Sequence, residues 1–281
     1  MRAFAGLLLV AAALPARVAA QGDCFPSKNS NEANTFAIMS VSLAFSAGDA
    51  PSAQPRQGVR AGLLVSSLPR VDDRTATPTT CRPGKGPENT ALLFAVPQPR
   101  VVVSLPSHLE AEAGWIPPVR VNGVKANLVG LGLSWTAPIA SGLLALRTRA
   151  HATLGVIHAP ITCDDADLKD ATSECFGGTR SDDAFHPNIF GADMTLGWSP
   201  IQARLRPYVG AGYNRLQPRF RVNFTNQLGE TDRRRVEVNL DRFVAFGGAT
   251  WLISPSLDLS GELYAAPSDA VTARMGLRAT L

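Results

Sequence analysis

The sequence predicts an all-β fold: a closed antiparallel transmembrane β-barrel of about ten strands, with eight or twelve as the neighbouring counts, preceded by a short N-terminal helix or plug-like segment. Three observations predict it. From about Gly58 to the C terminus the dominant pattern alternates with period two. The connections between alternating runs are short on one side and long on the other. Small and apolar runs end three times on a tryptophan before a turn, as LSWTAPI around Trp135, TLGWSPI around Trp198 and TWLISPS around Trp251.

The chain opens on MRAFAGLLLVAAALPARVAA, in which Arg2, an apolar run and Val18, Ala19 and Ala20 form the pattern of a secretory signal peptide cut after Ala20. It is too short to span a bilayer, and no later segment reaches the roughly 18 consecutive apolar residues of a spanning helix. The net charge is +4, two of these charges being Arg2 and Arg17 of the signal, which leaves about +2 and little ground for a nucleic-acid partner. Cys24, Cys81, Cys163 and Cys175 all follow the signal and lack CxxC spacing, so disulfides are expected and no metal site. Cys163 with Cys175 closes a short loop and is the preferred pair, leaving Cys24 with Cys81. Asp23 stands where a lipobox needs a small residue.

Segment 31–47, NEANTFAIMSVSLAFSA, reads in two ways. As a strand it would be the eleventh and would place the amino terminus on the wrong side. As a helix it makes one stripe of Phe36, Met39 and Leu43 with Ser30 or Asn31 as cap, and this is the preferred reading.

Strands are then expected near 58–68, 91–104, 107–116, 123–136, 142–158, 188–198, 202–216, 242–253, 256–266 and 270–281. The last, VTARMGLRATL, sets Val271, Ala273, Met275, Leu277 and Ala279 against Thr272, Arg274, Gly276, Arg278 and Thr280. Folding it on its predecessor about Ser268 puts Asp258 opposite Arg278 and Glu262 opposite Arg274, two cross-strand pairs on the polar face. The same face collects Arg60, His108, Glu110, Glu112, Arg147, Arg149, His151, Asp193, Arg204, Arg206 and Tyr208. Such groups are expensive in lipid, so they are expected to line the lumen. Trp115, Trp135, Trp198 and Trp251 fall on the apolar rows as an aromatic girdle.

The charged lumen leaves two readings open. It is an aqueous pore whose arginine and glutamate rows set selectivity, or a narrow interior filled by mutually neutralising side chains. Beyond the barrel, Arg219, Arg221 and Asn223 alternate with Phe220, Val222 and Phe224, and Glu237, Asn239 and Asp241 with Val236, Val238 and Leu240. This predicts an extended hairpin with basic residues across from acidic ones, and bulges near Gln217–Pro218 and Arg242. Asp164, Asp165, Asp167, Glu174, Asp182 and Asp183 fit no EF-hand spacing and read as a solvated acidic loop. No GxSxG turn accompanies His108, Glu110 or His151, so catalysis is not expected, and no cofactor. The NFT at Asn223 has the form of a glycosylation sequon and carries little weight.

The signal, the alternating strands, the tryptophan-proline turns and the terminal VTARMGLRATL together resemble the bacterial outer-membrane β-barrel proteins over 58–281, at the level of architecture. The chain departs from the usual terminal aromatic residue by ending on Leu281. The resemblance implies a signal at 1–20, a periplasmic or plug-like segment at 21–57 and a barrel at 58–281 in a Gram-negative outer membrane. Its partners would be outer-membrane lipid, periplasmic chaperones and the barrel-assembly machinery, and the protein would be a monomer. Two functions follow as expectations: a small channel or transporter for small solutes, or a non-conducting structural or surface barrel whose long loops bind partners.

Overall fold

The computed structural model describes residues 22–54, 58–200 and 203–281, so the signal peptide and its cleavage at Ala20 lie outside the described residues. Among the described residues ten strands, numbered β1 to β10 in chain order, form the barrel. They are Val59–Ser67, Ala95–Leu105, Leu109–Ile116, Val124–Ile139, Leu144–Ala159, Ile189–Trp198, Leu205–Leu216, Leu240–Ser254, Leu257–Ala266 and Ala270–Thr280. Each pairs antiparallel with its neighbour, and β1 pairs with β10 from Arg60 opposite Thr280 to Ser66 opposite Arg274, which closes the ring.

The alternation is inside out relative to a water-soluble protein. On β10 Val271 and Met275 are each 61% exposed, whereas Arg274 is 2% exposed. Apolar rows outside and charged rows inside are what lipid outside and a polar interior demand. The β9–β10 register is the expected one, with Asp258 opposite Arg278 and Glu262 opposite Arg274.

Short connections at 106–108, 140–143 and 255–256, with Ser199 and Pro200 after Trp198, gather at one end of the barrel; the other end carries the long ones at 68–94, 160–188 and 217–239 together with two short ones at 117–123 and 267–269. Trp135, Trp198 and Trp251 stand half exposed at the short-turn end. Trp115 belongs to the opposite rim, where Phe190, Tyr213 and Phe243 also face outward and Tyr213 packs edge-on to Phe243.

Beyond the long-loop rim the wall continues as three short strands, Asp183–His186, Arg219–Arg221 and Arg235–Glu237, added side by side to the end of β5. The bulges expected near 217–218 and 242 do not re-aim the chain. Even-numbered residues face inward from Tyr208 through Phe224 and again from Val236 to Thr250. What changes is the interior, which is polar inside the barrel and apolar above it, so Phe220 and Val236 point inward and arginines outward. The expected charge ladder forms by half: Arg219 lies 3.7 Å from Glu237, but Arg221 stands opposite Arg235. The acidic loop is likewise not all solvated. Asp183 is buried and accepts hydrogen bonds from the Thr162 N–H, the Ser181 hydroxyl and the Asn223 N–H.

Segment 31–47 is a helix for its first part. Helix α1, Asn31–Ser42, is capped by Ser30, whose hydroxyl accepts from the Ala33 N–H at 3.1 Å. It sits at the long-loop end, where Phe36 packs between Phe185 and Phe220 with ring centroids 5.7 and 5.6 Å away. Disulfides join Cys24 to Cys81 and Cys163 to Cys175. From Leu43 onward the chain leaves the helix and descends through the lumen.

Candidate functional site: the occupied lumen

Residues 43–54 run the length of the barrel interior. Near the top the Thr153 hydroxyl donates to the Leu43 carbonyl at 3.2 Å; near the bottom the Ala53 N–H donates to Ser199, in the β6–β7 short turn, at 3.3 Å. The segment has no regular secondary structure of its own, and wall side chains satisfy several of its backbone groups, while the Gly48 N–H donates to the segment's own Ser46 at 3.0 Å. The Ala50 N–H, for example, donates to the Thr250 hydroxyl at 2.9 Å.

Asp49 is the centre of this packing. One carboxylate oxygen accepts from Arg147 at 2.8 Å, and the other accepts from Arg278 and lies 3.5 Å from Arg60. Arg147 also donates to the Asp49 carbonyl at 2.7 Å, and Arg278 to the Ala47 carbonyl at 2.9 Å. Arg60 reaches Glu110 at 2.6 Å with its second nitrogen. Counting the wall, seven guanidiniums, from Arg60, Arg100, Arg147, Arg149, Arg206, Arg274 and Arg278, share the interior with carboxylates from Glu110, Glu112, Asp193, Asp258 and Glu262. Asp49 adds a sixth carboxylate, so taking the segment away would deepen the lumen's excess of positive charge.

Four residues above, Phe45 is 1% exposed. Gly114, Gly130 and Gly132 face inward on β3 and β4, and a Cβ built on Gly130 would lie 2.3 Å from the Phe45 ring. The missing side chains form a notch that the ring fills. The Arg100 guanidinium covers the ring at 4.2 Å from its centroid, and Arg149 donates to the Phe45 carbonyl at 3.0 Å. Ser46 donates to Glu262 at 2.5 Å, and Tyr208 donates to the same carboxylate at 3.1 Å.

The residues expected to line the lumen are placed as follows. Glu110, Glu112, Arg147, Arg149, His151, Asp193, Tyr208, Asp258, Glu262, Arg274 and Arg278 are buried inside, with Arg60 and Arg206 partly so. Arg149 donates to Asp193 at 3.0 Å, and His151 lies 3.6 Å from the same carboxylate. Arg206 donates to Ser52 at 3.3 Å. His108 and Arg204 are corrections: both are exposed in short turns. Ser107 and His108 take left-handed backbone angles, which breaks the parity that put His108 on the inner row. Arg204 precedes the first residue of β7. Asp258 and Arg278 are register partners, but the Arg278 guanidinium reaches Asp49. Asp49, Phe45 and Arg100 were not among the expected lumen groups.

The segment is anchored above as well. Glu32 of α1 accepts from the N–H groups of Thr79, Thr80 and Cys81 at 3.0, 2.7 and 2.8 Å. Burial pushes this carboxyl up, but the N–H bonds from Cys81 and Thr80 outweigh it and hold the group below its ordinary value of 4.5. Its contribution is therefore full above the ordinary carboxylate range and is lost as pH falls through the lowered value. With the disulfides reduced, limited pepsin digestion is expected to cut 25–54 faster as pH drops below that range. Glu32→Gln should flatten the profile; a wild-type profile without pH dependence would refute the clamp.

No protein-family model and no curated protein matches the chain. Among solved structures, the chain is similar to the KdgM porin at 7% identity, over 79% of this chain and 99% of that one, with a TM-score of 0.32. It is similar to Omp33 of Acinetobacter baumannii at 7% identity, over 80% and 98% of the two chains, with a TM-score of 0.29. It is similar to Ail of Yersinia pestis, bound to the heparin analogue sucrose octasulfate, at 9% identity over 80% and 98%, with a TM-score of 0.27. All three are outer-membrane barrels, and the likeness is one of barrel architecture.

Proposed function

We propose that the protein sits in the outer membrane, short turns inward and long loops outward, as a barrel closed along its own axis by residues 43–54. In this reading it is a non-conducting surface barrel, and its long loops and the extended hairpin at 219–237 are what it offers to partners. The observation that carries the reading is Asp49, a plug carboxylate held by Arg60, Arg147 and Arg278 from three separate strands. An open pore would leave those guanidiniums without that counter-charge.

Planar-bilayer recording tests it. The wild type is expected to give no discrete current, and a chain lacking 22–54 and carrying Cys81→Ala to give steps of current through the vacated lumen. Steps from the wild type would overturn the proposal and favour the channel.

A further inference from the structure

The barrel wall is incomplete at one place. The β2–β3 ladder runs from Leu105 opposite Leu109 to Arg100 opposite Gly114 and stops there. Both strands continue, but away from each other: Ala95–Pro99 pair only with β1, and Trp115 and Ile116 only with β4. Continuing the lost register would set Pro99 across from Trp115, Pro97 across from Pro117, and Val96 across from Pro118. Proline has no N–H to donate, so the facing prolines leave this stretch unable to form a ladder. The unzipped stretch lies at the rim marked by Trp115, beside Phe94, which is 88% exposed.

Directly inside it is an apolar cavity of about 70 Å³. In the same measure one water needs roughly 10–15 Å³. Val96 and Ile116, which face inward at the outer ends of the two unzipped strands, line it together with Met39 and Leu43, Leu128 and Ile157. An apolar void is unfavourable when empty, and such voids take up hydrocarbon readily.

We infer that this cavity is a binding site for a single alkyl chain, which enters sideways from the bilayer through the proline-parted stretch between β2 and β3. The occupant is chosen by the two sides of the opening: the membrane interface at the level of Trp115 without, where acyl chains begin, and apolar side chains within. The inference needs the barrel in lipid but not the closure of its axis, so the two proposals fail separately.

Photolabelling of the full chain in liposomes tests it, with one arm carrying a phospholipid with a diazirine at its acyl terminus and the other a diazirine-bearing palmitic acid. Lipid outside the barrel labels only outward rows such as Val101 and Leu131, whereas an occupied cavity places label on plug residues Met39 and Leu43. Plug label in either arm is expected, and the arm that gives it identifies the source of the chain. Ala126→Phe, which fills the cavity from β4, should abolish plug label while outward label persists; Ala159→Leu serves if the first variant does not show heat-modifiable gel mobility. Pro97→Thr with Pro99→Thr, which restores ladder donors, should reduce it too. No plug label in either arm, or plug label unchanged in the filled variant, overturns the inference.

Discussion

Asp49→Ala is expected to destabilise the folded barrel by about 3–5 kcal/mol, the range for removing one partner of a buried ion pair. The size follows from what is left behind. Arg147 is 2% exposed and Arg278 is 4% exposed, and both direct their guanidiniums at this one carboxylate. Without it three cations share a closed space in which neither water nor a second carboxylate can replace all the lost bonds. Asp49→Asn keeps the shape and some hydrogen bonding but removes the charge, so it should fall between wild type and alanine. Urea unfolding in liposomes reads the difference, and bilayer recordings should show that the alanine variant passes intermittent current where the wild type is silent. An unchanged unfolding midpoint in both variants would mean that the arginines find their balance elsewhere.

Phe45→Ala should cost about 3–5 kcal/mol, as for other fully buried aromatic side chains. Gly130→Val should do comparable damage from the opposite side, because its side chain would occupy the space of the ring. The two together should cost clearly less than their sum, since the valine then partly fills the vacancy left by the ring. Additive losses would argue that ring and notch are not matched. Hydrogen exchange of the plug gives a second readout: either single variant should expose the amides of 43–54.

The contrast between those two sites and the barrel wall explains what was legible in the sequence. A strand between lipid and a polar interior must alternate, and alternation is local, so the ten strands and the β9–β10 register could be read residue by residue. The helix at 31–42 was legible for a similar reason, through the Ser30 cap and the Phe36 stripe. Segment 43–54 has no period, because each residue answers to a different wall partner, so nothing local marks Asp49 as the counter-charge of arginines 11, 98 and 229 positions away. The glycines at 114, 130 and 132 fall on the inner parity of their strands, but nothing local points to the ring that fills the space they leave. His108 and Arg204 were misplaced by extending strand parity into turns. The hairpin at 219–237 was misread differently: its alternation is intact, and the medium inside it changes from charge to the apolar side of α1.

The Cys24–Cys81 bond has a topological consequence. The plug is fixed at its upper end by that bond and at its lower end by its own backbone, which continues into β1. Bond, plug and β1 thus make one covalent ring, with the plug as one side and a barrel strand as the other. A segment held at both ends cannot be withdrawn like a stopper; it can only be rearranged in place or cut free. The ring also needs nothing beyond the first 81 residues, so it can be completed in an oxidising compartment before β2 to β10 are assembled. The last nine strands would then be wrapped around a core already tied to the first.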